Sequence, residues 1–175
     1  MRFSKKSVEI IVGEKWVEWF NEENGTSFTV ADSSGEAPDL VYAEGARRLR
    51  IEITVAYYDD ADAKLRWTNA CGVPDAPQKW SGINFDVNLV KNINERVAQK
   101  CLNRYGQGCV LVLYLNPRGT TLDEFSDLVC GVSLPNVVPF DGVYITGHFP
   151  IIETHKEEYY VWPLKPLIAK GDGKV

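Results

Sequence analysis

Two acidic residues, Asp39 and Glu52, are brought together by the segment that carries them. Residues 37–58, APDLVYAEGARRLRIEITVAYY, read as two strands joined at Glu44-Gly45-Ala46-Arg47. A glycine opening a two-residue loop suits a type II′ hairpin turn. With Gly45-Ala46 as the loop, Ala43 faces Arg48, Val41 faces Arg50 and Asp39 faces Glu52. Period-two alternation puts Leu40, Tyr42, Leu49, Ile51, Ile53 and Val55 on one apolar side, and Asp39, Val41, Arg50, Glu52 and Thr54 on the other. Opposed residues of an antiparallel pair have Cβ atoms about 4.5–5.5 Å apart, and like charges there are destabilising. The pair therefore needs a bridging divalent metal, a shared proton or a neighbouring cation, and Arg50 on the same face is one such cation.

The surrounding elements must hold that hairpin. From Ser7 to Asn24, Val8, Val12, Trp16, Trp19 and Phe20 recur at helical spacing, and Asn24-Gly25 is a helix stop. Residues 27–31 read as a short strand, followed by a turn-rich DSSGEA. A long loop rich in Asp, Pro and Gly is expected from Asp59 to Ile83. Phe85 to Tyr105 reads as a second helix with Val90, Ile93, Val97 and Cys101 as its apolar stripe. Residues 109–115, CVLVLYL, are the near-continuous apolar run of a strand buried on both faces. Thr121 and Glu124 form a capping box for a short helix, LDEFSDLVC. GVYITGHF and EEYYVWPL read as two late strands.

This arrangement resembles the PD-(D/E)XK nuclease superfamily, with its restriction-endonuclease-like α/β core of helix, three strands, helix and strand. The matching residues are Pro38-Asp39, opening strand two, and Glu52-Ile53-Thr54 in strand three, and the resemblance covers about Ser7 to Pro117. It implies that Asp39 and Glu52 hold Mg2+ or Mn2+, that the metal lowers the pKa of a water, and that a lysine orients that water for attack on a phosphodiester. The C-terminal helix and strands are extra to that core. Thr54 stands where the motif has lysine; it has no charge and would only hydrogen-bond. The superfamily commonly supplies a missing cation from the helix after strand three.

On that helix, at 100° per residue, Lys100 lies on the stripe of Ile93 and Val97, whereas Lys91 points away. Lys100 is the expected replacement cation; the alternative is a lysine that buries its stem and reaches solvent at the stripe's edge. The superfamily often adds an acid from the first helix. Glu9 falls on the stripe of Val12, Trp16 and Phe20, while Glu14 and Glu18 fall outside it. Glu9 reads either as a helper ligand or as an acid favoured by the helix start.

Other residues read more plainly. Asp59, Asp60 and Asp62 lack the Gly and Glu of an EF-hand and read as a solvated acidic loop. Tyr57, Trp67 and Trp80, with Arg66 and Lys79 among them, would stack on bases or anchor the loop. Arg47, Arg48 and Arg50 would touch phosphates or neutralise the acids beside them. His148 and His155 are isolated from any nucleophile pattern. Cys71, Cys101, Cys109 and Cys130 have no CxxC spacing and read as free thiols.

The 175 residues, 45% hydrophobic and 25% charged, suit one domain over residues 1–165, with a basic tail over 166–175. A net charge of −5 creates no global field attracting nucleic acid, so that partner needs a local basic patch. The beginning of the chain lacks a signal peptide's apolar run, and no stretch approaches a membrane helix, so a cytoplasmic protein without membrane contact is expected. Three functional readings follow: a metal-dependent nuclease, a catalytically inactive domain of the same fold used as a binding or assembly module, and an unrelated α/β protein with an Arg50 salt bridge. Nuclease specificity in so short a chain would come from the 59–83 loop, the late strands, a homodimer or a partner protein.

Overall fold

The computed structural model describes residues 4–35, 37–58, 60–70, 72, 85–106, 108–115, 117, 120–151, 154 and 156–167. In chain order the elements are α1 (Lys5–Asn24), β1 (Thr29–Asp32), β2 (Leu40–Glu44), β3 (Arg47–Ala56), α2 (Asp60–Ala70), α3 (Phe85–Cys101), β4 (Cys109–Leu115), α4 (Leu122–Leu128), β5 (Gly142–Ile151) and β6 (Lys156–Lys165). The expected mixed α/β class is correct. Its centre is one six-stranded sheet in the order β1-β2-β3-β4-β5-β6. The β3–β4 and β4–β5 pairs are parallel, and the other neighbours are antiparallel.

Each end of α1 has a chemical cause. Ser4 accepts from the Ser7 N–H at the start, and Gly25, at φ 61°, closes the end in the left-handed region. Val12, Trp16, Val17 and Phe20 pack against Leu40, Tyr42, Leu49, Ile51 and Ile53, on the apolar hairpin face that alternation predicted. Gly13 lets the helix lie close to that face, because a Cβ there would stand 2.1 Å from Leu40 Cδ1. On the opposite face, Leu89, Ile93 and Val97 of α3 and Phe125 of α4 pack against Leu111, Leu113 and Leu115. With Val110 and Val112 facing α1, β4 is buried on both sides, as its sequence required.

The hairpin register is the expected one from Leu40↔Ile51 to Glu44↔Arg47. The capping box of Thr121 and Glu124 is present, and the two late strands expected over GVYITGHF and EEYYVWPL occur there. Three expectations need correction. The stretch expected as a loop holds α2 over Asp60–Ala70, started by acids that suit the positive end of a helix dipole. Residues 71 and 73–84, with Cys71, Lys79 and Trp80, lie outside the described residues, as does His155. Second, α3 ends at Cys101 rather than Tyr105, which instead folds onto Phe140 with ring centroids 4.8 Å apart. Third, Asp62 is not solvated: it is 2% exposed, accepts from the Tyr58 N–H at 3.3 Å and pairs with Arg66 at 2.6 Å.

Among the described residues no helix is long and apolar enough to cross a membrane. Pro166 and Leu167 continue past β6, and the Leu167 N–H donates to Tyr144 Oη at 2.7 Å; residues 168–175 lie outside the described part.

Candidate functional site

Glu52 sits in the interior of β3, between β2 and β4, and its side chain points to the α3 side of the sheet. It is 3% exposed. The cation that meets it is Lys100, whose Nζ lies 2.5 Å from Glu52 Oε1. Helical geometry explains the meeting: Lys100 is one turn beyond Val97, which is buried against the sheet. Only a quarter of the lysine side chain is exposed, so its stem is covered and its head is given to the acid rather than to water. The other carboxylate oxygen, Oε2, is buried and makes no hydrogen bond of good geometry among the described residues, the Tyr105 phenol lying beside the carboxylate.

Asp39 precedes the first ladder pair, Leu40↔Ile51, so strand pairing does not hold its backbone. Its carboxylate extends the hairpin by side chain instead, with Oδ2 accepting from the Ile53 N–H at 2.8 Å. Burial pushes the Asp39 carboxyl up to about 6, against the lowering effect of the Ile53 bond; the negative charges of Glu52 and Glu9 raise it further, and Lys100 lowers it. The two acids are thus electrostatic neighbours, as the register predicted. Their neutraliser is different. Among the described residues no ion pair joins Arg50 to either acid, and the Arg50 guanidinium runs beside Gly106, whose added Cβ would meet Nη1 at 3.0 Å. Arg47 pairs with Glu44 at 2.7 Å and lies over the Phe28 ring, and Arg48 donates to the Gly45 carbonyl. Those two arginines serve the turn, about 15 Å of strand away from Glu52.

Thr54 follows Glu52 by two residues on the same face, half-buried and in parallel register with Leu113. Glu9, also buried, is held by two lysines of its own helix: Oε1 is 3.1 Å from Lys5 and Oε2 is 3.6 Å from Lys6. Lys91 is a surface residue near Glu95 at 3.8 Å, as its angle predicted. His148 faces Tyr159 across the β5–β6 pair, with the rings tilted and their centroids 5.2 Å apart. Cys101, Cys109 and Cys130 are free thiols.

No family model, curated protein or solved structure matches the chain.

Its chemistry is therefore read from its own atoms. Three functional neighbours escaped the sequence reading. Lys6 Nζ donates to the carbonyls of Gly35 at 2.8 Å and Asp39 at 2.7 Å. Tyr105, 6% exposed, has a phenol raised by burial and by the nearby Glu52, with Lys100 opposing. Cys109 opens β4 beside Arg50, and burial followed by the Glu52 charge pushes its thiol up to about 12. The spacing of Lys5 and Lys6 before Glu9 was visible as helical i,i+4 and i,i+3 pairs. Nothing local signalled that Lys6 would reach residues 29 and 33 positions away.

Among the described residues no group of three or more His, Cys, Asp or Glu side chains is arranged to hold a metal ion. Asp39 and Glu52 nevertheless suit a hard divalent cation in kind: both offer carboxylate oxygens, and Glu52 keeps one buried oxygen without a hydrogen bond among the described residues. Burial, and less strongly the Glu52 charge, raises the Asp39 carboxyl and so favours a proton on Asp39 when no cation is present.

Proposed function

We propose that this chain is a metal-dependent nuclease-like protein with a restriction-endonuclease-like core of the PD-(D/E)XK kind, hydrolysing nucleic-acid phosphodiester bonds. The observation that carries the reading is Glu52. It is a buried carboxylate with one oxygen on Lys100 and the other without a hydrogen bond among the described residues, beside a second buried acid that burial makes costly to ionise. A native site rarely leaves a buried carboxylate oxygen unpaired without a ligand to complete it. The order of helix, three strands, helices and strand gives further support.

In this reading Asp39 and Glu52 hold Mg2+ or Mn2+, with Glu9, whose charge is felt at Asp39, as a further acid. The bound metal would supply Lewis-acid polarisation of the phosphodiester and a nucleophile at neutral pH. Lys100 takes the place of the lysine that Thr54 lacks, bringing a positive charge to the same carboxylate from α3. The Ile53 N–H orients Asp39, and pairing with Leu111 of β4 fixes the backbone of Glu52, the β2 ladder having ended one residue earlier at Leu40↔Ile51.

The second reading is a catalytically inactive domain of the same kind, serving as a binding or assembly module. It is favoured by Thr54 and by the Lys100 ion pair, which satisfies half of Glu52 with no metal. Incubation of the protein with plasmid, single-stranded DNA and RNA in Mg2+ and in Mn2+ separates the two. The nuclease reading expects cleavage by the wild type and none by Glu52→Ala purified identically. Equal activity in both preparations, or none in either, would remove it in favour of the module.

A further inference from the structure

The segment that delivers Asp39 has no strand partner of its own, yet Asp39 is 4% exposed and its carboxylate is aimed at one backbone N–H. What holds the segment from the other side is Lys6, on the first turn of α1. An ammonium has three donors. Two are spent on the Gly35 and Asp39 carbonyls, which bracket the turn before β2, and Glu9 Oε2 lies 3.6 Å away. Asp39 is therefore clamped twice, through its backbone by Lys6 and through its side chain by Ile53.

The same contacts bear on Glu9. Its side chain is 6% exposed, and each oxygen is ion-paired to a lysine, Oε1 to Lys5 at 3.1 Å and Oε2 to Lys6 at 3.6 Å, although Oε1 makes no hydrogen bond among the described residues. A divalent cation at Glu9 would stand against two ammonium groups, the partly covered Lys6 and the largely exposed Lys5, and would have to displace both from the carboxylate. Removing Glu9 from those lysines would also leave Lys6 without the charge that balances it beside the two carbonyls.

We propose that Lys6 is the positioning residue for Asp39, and that Glu9 is the counter-ion of Lys6 and Lys5 rather than a metal ligand, so that the site takes a single divalent cation at Asp39 and Glu52. The metal part of this inference rests on the nuclease reading; the positioning part does not.

The test therefore has a metal-free arm and a metal arm. In the metal-free protein, amide hydrogen exchange by NMR is compared for wild type, Lys6→Met and Lys6→Arg, with Val112 in the neighbouring strand as an internal reference. Lys6→Met should lower Ile53 protection about tenfold and leave Val112 unchanged, and Lys6→Arg, which restores donors to the carbonyls, should recover most of it. Unchanged Ile53 protection in Lys6→Met, or an equal loss at Val112, would overturn the positioning role.

In the metal arm, Mn2+ is titrated calorimetrically into the same proteins and into Glu9→Gln and Glu52→Ala. The expected result is one site in the wild type, abolished in Glu52→Ala, weakened about tenfold or more in Lys6→Met, and kept within about threefold in Glu9→Gln. Two sites, or a Glu9→Gln loss as large as that of Glu52→Ala, would overturn the counter-ion role. No Mn2+ binding by the wild type would overturn the metal part together with the nuclease reading, while Ile53 exchange would still decide the role of Lys6.

Discussion

Asp39 carries a cost that can be measured without any metal or substrate. Its carboxyl is pushed up to about 6, first by burial, with Glu52 and Glu9 adding to the effect and the Ile53 N–H opposing it. An unfolded aspartate titrates near 3.9. The folded chain therefore binds this proton more tightly than the unfolded one, so the group's favourable contribution is complete below about pH 4 and is lost as the pH rises through about 6. A shift of this size corresponds to roughly 3 kcal/mol. Asp39→Asn keeps an oxygen for the Ile53 N–H and removes the titration. In urea unfolding with chelator present, the variant should gain about 3 kcal/mol on the wild type between pH 4 and pH 7; parallel stability curves would show that Asp39 is not the strained acid. At this scale the sequence was informative about partners that share a strand or a helix face. Asp39, Glu52 and Lys100 follow from a turn, a period of two and a period of 3.6. Arg50 was misjudged because face membership says nothing of where a long side chain ends, and its guanidinium goes to Gly106.

At the scale of elements, the approach of α1 to the hairpin depends on Gly13. The Cβ of an alanine there would lie 2.1 Å from Leu40 Cδ1, with Tyr42 Oη at 3.2 Å and Ile53 Cδ1 at 3.3 Å behind it. Leu40 is 1% exposed and Ile53 2%, so neither has free space to retreat into. Gly13→Ala should cost about 1–3 kcal/mol by overpacking, despite alanine's better helix propensity. Chemical denaturation measures it, and pairing the change with Leu40→Ala should recover part of the loss. A neutral or stabilising Gly13→Ala would mean that the helix does not lie so close. The strand hairpin was legible because turn chemistry and alternation agree over its whole length. The helix α2 was not, because its polar, acid-led sequence resembles a loop until Asp62 and Arg66 are seen to pair across one turn in a buried setting. The unpaired position of Asp39 was equally hidden: register arithmetic gives the partner that a strand would have, not the residue at which the ladder stops.

Across the whole molecule, two apolar layers meet the sheet, and β4 belongs to both of them. Leu111, fully buried, lies in register with Glu52 on one side and Val143 on the other. Leu111→Ala should cost about 3 kcal/mol from lost burial and the cavity left behind, whereas Leu102→Ala, at a position 85% exposed, should stay within about 0.5 kcal/mol. Unfolding midpoints of the two variants check this, and a mild Leu111→Ala would indicate that β4 is not the shared centre of both layers. The class of fold was readable from the order of elements, and the buried strand from the unbroken apolar run CVLVLYL. The way distant segments close on the site was legible for Lys100, whose helix face pointed to it, but not for Lys6, whose contacts with Gly35 and Asp39 are tertiary alone.

The 48 residues that separate Lys100 from Glu52 set an order of events in time. A hairpin closes locally and early, whereas the parallel union of β3 with β4 waits for a long crossover and is intrinsically slow. The two acids are thus brought near each other before the helix that supplies their ammonium has docked. A nascent chain or a partly unfolded one carries the acids without their cation and without the layer that excludes water. The centre comes into existence only once α3 and β4 have docked on the hairpin, so that the union of those elements acts as the licence for whatever those acids do.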